Sequence, residues 1–309
     1  MIETPQGMLA TPLARGRGRW RPSTRDERLA YRLLFPVLAV VVGIVTLPFL
    51  IAVWESLLGR EGEFVGLNNY VRATGNPGFL DALLATAIYA AIVLPAQILV
   101  GLGLALLVHR TIRSPAVRAG LYILAIIPIV IPPVAVGVVG RLIYGPDYGV
   151  LNHLLIEIGA IQTEIPWLSS PVGAMATVAS VDIWQWTPFV YLVLFAGLQT
   201  VPQETVEASQ VDGAGSWQQF WHIELPYIRP LLLLVLFFRI ADVLRVFDHV
   251  FVLTGGGPGD TTQFLSLWLY RIAFKFSDSG QAAALAVLVM VAMTIGYSLV
   301  SRVLPVERD

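Results

Sequence analysis

The 309-residue chain is 56% hydrophobic and only 13% charged, with a mean hydropathy of +0.72. A soluble globular chain carries about 25% charged residues, so this composition excludes a soluble enzyme, a nucleic-acid binder and a disordered tail. The net charge of −1 says nothing about partners, and zero cysteines exclude a disulfide framework, thiol catalysis and cysteine metal sites.

Residues 1–30 form a basic tail with Arg15, Arg17, Arg19, Arg21, Arg25 and Arg28. The apolar segment behind it starts too late and runs too long for a cleavable signal peptide. The arginines read as a topology anchor and a contact to membrane lipid. A bilayer core about 30 Å thick needs roughly 20 apolar residues per helix. Segments 33–54, 82–108, 119–140 and 279–301 are free of charge, and each is long enough to span. Two more are apolar but interrupted: 171–200 by Asp182, and 230–254 by Arg239, Asp242, Arg245 and Asp248. In lipid the backbone must satisfy its own hydrogen bonds, so these runs predict helices. The fold expected over 31–309 is an all-α, polytopic membrane domain of six transmembrane helices. Pro48, Pro95, Pro128, Pro132, Pro133 and Pro188 predict kinks within them.

Basic residues orient the spans. The tail, with Arg32, and the 109–118 loop, with Arg110, Arg113 and Arg118, belong on the cytoplasmic side. The external loops 55–81, 142–170 and 255–278 then hold only Arg60, Arg72, Arg271 and Lys275. Both termini are expected inside a plasma (inner) membrane. The internal loop 201–229 breaks the charge bias, with Arg229 set against Glu204, Glu207, Asp212 and Glu224. Such a loop has another job.

Locally that loop reads as two short helices around a bend. Pro202 and Glu204 suit a helix start, and Gly213 suits a left-handed helix end. Ser216 is placed to cap a second helix that Pro226 stops. Small residues at the bend leave room for another protein's surface, although a plain staple between spans four and five has the same local signature.

Glu207-Ala208-Ser209, three residues, Gly213, nine residues and then Ile223-Glu224-Leu225-Pro226 resemble the EAA motif of ABC importer permeases. Asp212-Gly213-Ala214 is similar to the carbohydrate branch of that family, while Ser209 replaces the usual second alanine. Phe64 to Tyr70, Gly149 to Asn152 with Trp167-Leu168, and Phe247 to Gly259 resemble the family's external loops. The resemblance implies that the loop is a cytoplasmic coupling helix between spans four and five, docking on an ATPase through Glu207, Ala208, Ser209, Asp212, Gly213 and Ala214. It implies a second, homologous permease subunit, two copies of an ABC ATPase carrying ATP and Mg, and an extracytoplasmic sugar-binding protein. The cargo implied is a di- or oligosaccharide such as trehalose or maltose, or a related polyol or glycerol phosphate. No nucleic-acid partner is implied.

A charge at mid-bilayer costs about 2.5–3.5 kcal/mol, so the four on span five must be paired, interior-facing or near an end. Arg239, Asp242, Arg245 and Asp248 follow each other at i,i+3, the spacing of a self-neutralising ladder. On span four, Asp182, Trp186 and Phe189 share a helical face, with Gln185 adjacent. Aromatic faces beside fixed acceptors suit sugars. Asp182, Gln185, Trp186, Phe189, Arg239 and Asp242 are therefore the candidate substrate path, with simple helix packing as the competing explanation. Gly255, Gly256, Gly257 and Pro258 predict a flexible, then sharply turned segment meeting the binding protein.

Two other functions make different demands on the sequence. An ion-coupled secondary transporter would need repeat symmetry between halves and no special cytoplasmic loop. A membrane glycosyltransferase would need paired carboxylates at an interface, whereas Asp147, Glu157 and Glu164 are dispersed. No Gly-x4-Gly-Lys-Ser/Thr pattern occurs, so the chain itself holds no P-loop, no cofactor and no metal is expected on it, and it is not expected to be an enzyme.

Overall fold

A computed structural model describes residues 24–146 and 148–303. Most of the basic tail, Asp147 and the residues after 303 lie outside the described residues, and so do the side chains of Arg25 and Arg28. The elements among the described residues are helices, in the order α1 (Thr24–Glu55), α2 (Asn68–Gly75), α3 (Pro77–Thr111), α4 (Pro115–Val130), α5 (Pro133–Tyr144), α6 (Val150–Glu157) and α7 (Pro171–Leu198). Then come α8 (Gln203–Val211), α9 (Ser216–Gln219), α10 (Leu225–Leu244), α11 (Asp248–Leu253), α12 (Leu265–Tyr270) and α13 (Ser279–Val303). Residues up to Ile51 form one compact unit and those from Ala52 a second. In the first, α1 takes in the end of the predicted tail and carries exposed apolar side chains such as Phe35, Val41 and Ile44.

In the second unit, α3 and α7 run together as its spine. Gly101 permits their close approach, since a Cβ there would lie 2.7 Å from Val190 Cγ1. Tyr89 of α3 stacks on Phe264 at 4.5 Å in one apolar cluster, with Val178, Val181 and Val250 around it. Tyr191 stacks on Phe195 at 5.7 Å in a second, with Ala105, Leu194 and Ile228. Pro95 and Pro188 sit inside helices that stay continuous.

Two of the predicted spans are each made of two helices. The 119–140 segment is α4 and α5, bent by 92° at Ile131 and Pro132. Consecutive prolines supply no N–H, and they force Ile131 into an extended conformation. Its carbonyl is taken up by Gln185 Nε2 at 3.0 Å. The 230–254 segment is α10 and α11, broken at Arg245 to Phe247, where the Ser266 hydroxyl donates to the Val246 carbonyl. Among the described residues, four helices are long and apolar enough to cross a membrane, or five if the bent α4–α5 pair counts as one span.

The second helix of the 201–229 loop also differs from expectation. Gly215 precedes α9, with its N–H bonded to Gln218 Oε1 at 3.0 Å, so Ser216 is the first helical residue and not the cap. Pro226 stops nothing. The chain continues from α9 through a π-turn at Phe220–Glu224 into α10, where Pro226 occupies the first turn. Pro226 has no N–H to give the turn before it, and the wider π-turn accommodates its ring.

Arg60 and Arg72 are both paired by Asp278, which is buried ahead of α13. Its Oδ2 accepts from Arg60 Nε at 2.8 Å and Arg72 Nη2 at 2.9 Å, and its Oδ1 from the Gln281 N–H at 3.1 Å. Burial pushes the carboxyl up, but the Arg60 hydrogen bond, the Gln281 N–H and the two guanidinium charges outweigh it and hold the pKa below the usual carboxylate value. A depressed folded pKa means that the stabilisation is present at neutral pH and is lost as pH falls through the folded value. Asp278→Asn is therefore expected to lower the melting temperature at pH 7, with the difference shrinking on acidification below the usual carboxylate range. A difference independent of pH would remove the ionic role.

Candidate functional site

Asp182 and Arg239 meet between α7 and α10. Arg239 Nη2 donates to Asp182 Oδ2 at 2.8 Å, and the two residues are only 1% and 2% exposed. Arg239 Nη1 reaches Asp242 Oδ2 at 3.2 Å, and its Nε donates to Gln97 Oε1 at 2.9 Å. Gln97 Nε2 returns to Asp182 Oδ2 at 2.9 Å. Every nitrogen of the guanidinium is thus engaged, and its carbon stands 4.9 Å from the Trp186 ring centroid. The expected ladder survives in part. Arg245 Nη2 bonds Asp242 Oδ1 at 2.7 Å, but the break after α10 leaves Asp248 outside it.

This network forms one wall of a cavity of about 290 Å³. Asp182, Trp186, Arg239 and Asp242 line it with Arg245, Asp248 and His249. Gln185 does not, because its amide is spent on the α4–α5 break. Phe189 lies one turn further along α7, edge-on to Trp186 at 6.4 Å. Of the six predicted path residues the fold brings four together.

The α8 region stands at the opposite end from the glycine-rich loop, and no residue of α8 is buried. Gly213 has φ +81, the Gly213 N–H bonds the Gln210 carbonyl at 3.0 Å and the Ala214 N–H bonds that of Ser209 at 2.9 Å. These paired bonds around a left-handed residue form a Schellman closure. Glu207 makes one exposed bond, from Gln203 Nε2 at 2.7 Å, and Val211 is 88% exposed. Arg110, in the last turn of α3, bonds Glu224 Oε2 at 2.7 Å and the Ser216 carbonyl at 3.2 Å, pinning the loop's second half to the spine.

The glycine-rich loop is held by hydrogen bonds from residues that follow it. Thr262 is buried and bridges the Thr254 hydroxyl at 2.7 Å and the Gly257 carbonyl at 2.8 Å. Arg271 clamps Asp260 Oδ1 at 2.7 Å and the Gly255 carbonyl at 3.0 Å. Gly256 has φ +98, and a Cβ there would lie 2.9 Å from Leu267 Cδ2. Buried Gly256 is therefore a structural requirement. Gly257 and Pro258 are half-buried, and the exposed part of the turn is Gly259 and Asp260.

Residues 97–306 match the family described as the inner membrane component of binding-protein-dependent transport systems. The chain belongs to this family. It is 33% identical over 286 residues to a trehalose/maltose transport system permease protein of Thermococcus litoralis, covering 90% of this chain and 95% of that protein. It is 32% identical over 271 residues to a trehalose transport system permease protein of Mycobacterium tuberculosis, with 85% and 84% covered. A solved bacterial ABC transporter involved in import of the acidic polysaccharide alginate shares the fold. Its matched chain has a TM-score of 0.75 at 22% identity, with 90% of this chain and 96% of that chain covered. The protein is a multi-pass ABC importer permease.

Sequence reasoning passed over two residues that hold this permease together. Gln97 is the one amide in an otherwise apolar span, and that isolation in a charge-free run was a usable signal. Glu224 sits inside the EAA-like stretch as an unassigned position. Its partner Arg110 was read only as a topology charge.

Proposed function

We propose that this permease forms, with a second homologous permease, the membrane pathway for a di- or oligosaccharide such as trehalose or maltose. The observation that carries the sugar reading is the similarity over nine-tenths of the chain to a trehalose/maltose permease, joined to a cavity lined by an aromatic ring and fixed carboxylates. Six spans cross the membrane, with α4–α5 and α10–α11 each counted as one broken span, and both termini are cytoplasmic. Broken helices are tolerated at membrane depth where they line a cavity, which is where both breaks lie relative to Pro133 and Val246.

The exposed α8 and its bend dock on one of two cytoplasmic ATPases that hold ATP and Mg, through Glu207, Ala208, Ser209, Asp212, Gly213 and Ala214. Sugar passes Asp182, Trp186, Arg239 and Asp242. The Gly255–Pro258 turn meets the sugar-loaded binding protein. Membrane lipid surrounds the apolar helices. The test is uptake of labelled trehalose or maltose into proteoliposomes holding both permeases and the ATPases. Uptake is expected only with internal ATP and external loaded binding protein. Uptake driven by an ion gradient without ATP would overturn the reading.

A further inference from the structure

The cavity beside Arg239 carries three carboxylates, Asp182, Asp242 and Asp248, against two guanidiniums. Arg239 is saturated and Arg245 is paired but exposed. Arg239 uses all three nitrogens on Asp182, Asp242 and Gln97. Arg245 bonds Asp242 and, through Nε, the Ala241 carbonyl at 3.2 Å. An anionic ligand would have to strip a carboxylate from Arg239, or settle on the exposed side of Arg245 near Asp248, which is exposed and makes no ion pair or hydrogen bond among the described residues. Both steps are unfavourable.

A second observation points to what the cavity does take. His249 is only 3% exposed, lines the cavity, and its Nε2 has no hydrogen-bond partner among the described residues. Buried polar atoms are normally paired, and the exceptions call for a partner. Hydroxyls fit both groups, since one can donate to the Asp248 carboxylate and another can donate to or accept from the imidazole. The half-buried Trp186 ring offers an apolar surface beside them.

We propose that Asp248 and His249 are the hydrogen-bonding groups for cargo in this cavity, and that the cavity accepts uncharged, polyhydroxylated ligands and rejects anionic ones such as uronates and sugar phosphates. This rests on the sugar-path reading above and narrows it to a charge class.

The test is equilibrium binding to the assembled transporter of trehalose and of trehalose with one CH2OH oxidised to carboxylate. The wild type is expected to favour trehalose by about tenfold or more, a gap of about 1.4 kcal/mol. Asp248→Arg places an unmatched cation at an exposed position and should narrow that preference about tenfold. His249→Leu should weaken trehalose binding, and His249→Gln, which keeps a donor and an acceptor, should weaken it less. Equal binding of both sugars by the wild type would overturn the charge selection and leave the sugar path standing. Binding of neither removes the sugar path and this inference together. An unchanged preference in Asp248→Arg, or equal effects of the two His249 variants, removes the assignment of that residue.

Discussion

Asp182→Ala is expected to destabilise the folded permease by about 3–5 kcal/mol, the cost of leaving a buried partner charge uncompensated. Arg239 is fully buried, and its second carboxylate, Asp242, is the longer and more exposed contact. Removing Asp182 also takes an acceptor from Gln97, so two polar groups lose a partner. The double variant Asp182→Leu with Arg239→Met deletes both charges and is expected to recover much of the loss. Melting temperature and yield of the detergent-purified protein read both effects. A single variant that melts with the wild type would show the pair to be energetically idle. A double variant that melts normally but transports nothing would place the pair in the sugar path rather than only in the scaffold.

Gly213→Val is expected to cut uptake by about tenfold while leaving the melting temperature unchanged. The position holds φ +81, and a left-handed conformation costs an ordinary residue roughly 1–2 kcal/mol, with more for a β-branched one. About 1.4 kcal/mol is enough to reduce the population of the bend tenfold. A Cβ at Gly213 meets nothing within 4 Å in this chain, so a loss beyond the backbone strain would point to the proposed ATPase contact. Gly213→Ala separates the two causes, since it carries the same sign of backbone strain with the smallest side chain. Full uptake by the valine variant, with the ATPase still associated, would end the coupling assignment.

Helix positions were legible because charge-free runs of this length have one stable form in lipid. The Gly213 bend was legible for an equally local reason, since positive φ is chemistry that glycine advertises by itself. Local reading failed where the answer depended on distant residues. Pro226 looked like a helix stop, yet it sits in the first turn of a longer helix reached through a π-turn. The glycines at 255–257 looked like slack, but Thr262 and Arg271, several residues further on, tie them down. Arg239 looked paired along its own helix, whereas its closest carboxylate is 57 residues away.

Composition and hydropathy by themselves determined that the chain is an all-α membrane protein. The spacing from Glu207 to Pro226 pointed to the permease family, because the motif is written in contiguous residues. Only the tertiary structure decided that Gln97, Asp182 and Arg239 close into one network, that Gln185 serves the α4–α5 break instead of the cavity, and that Asp248 and His249 face the cavity unfilled. The reason is that burial removes water as a partner, so each polar group takes whichever neighbour the packing of other helices provides. That choice is made in space, between residues whose separation along the chain carries no signal.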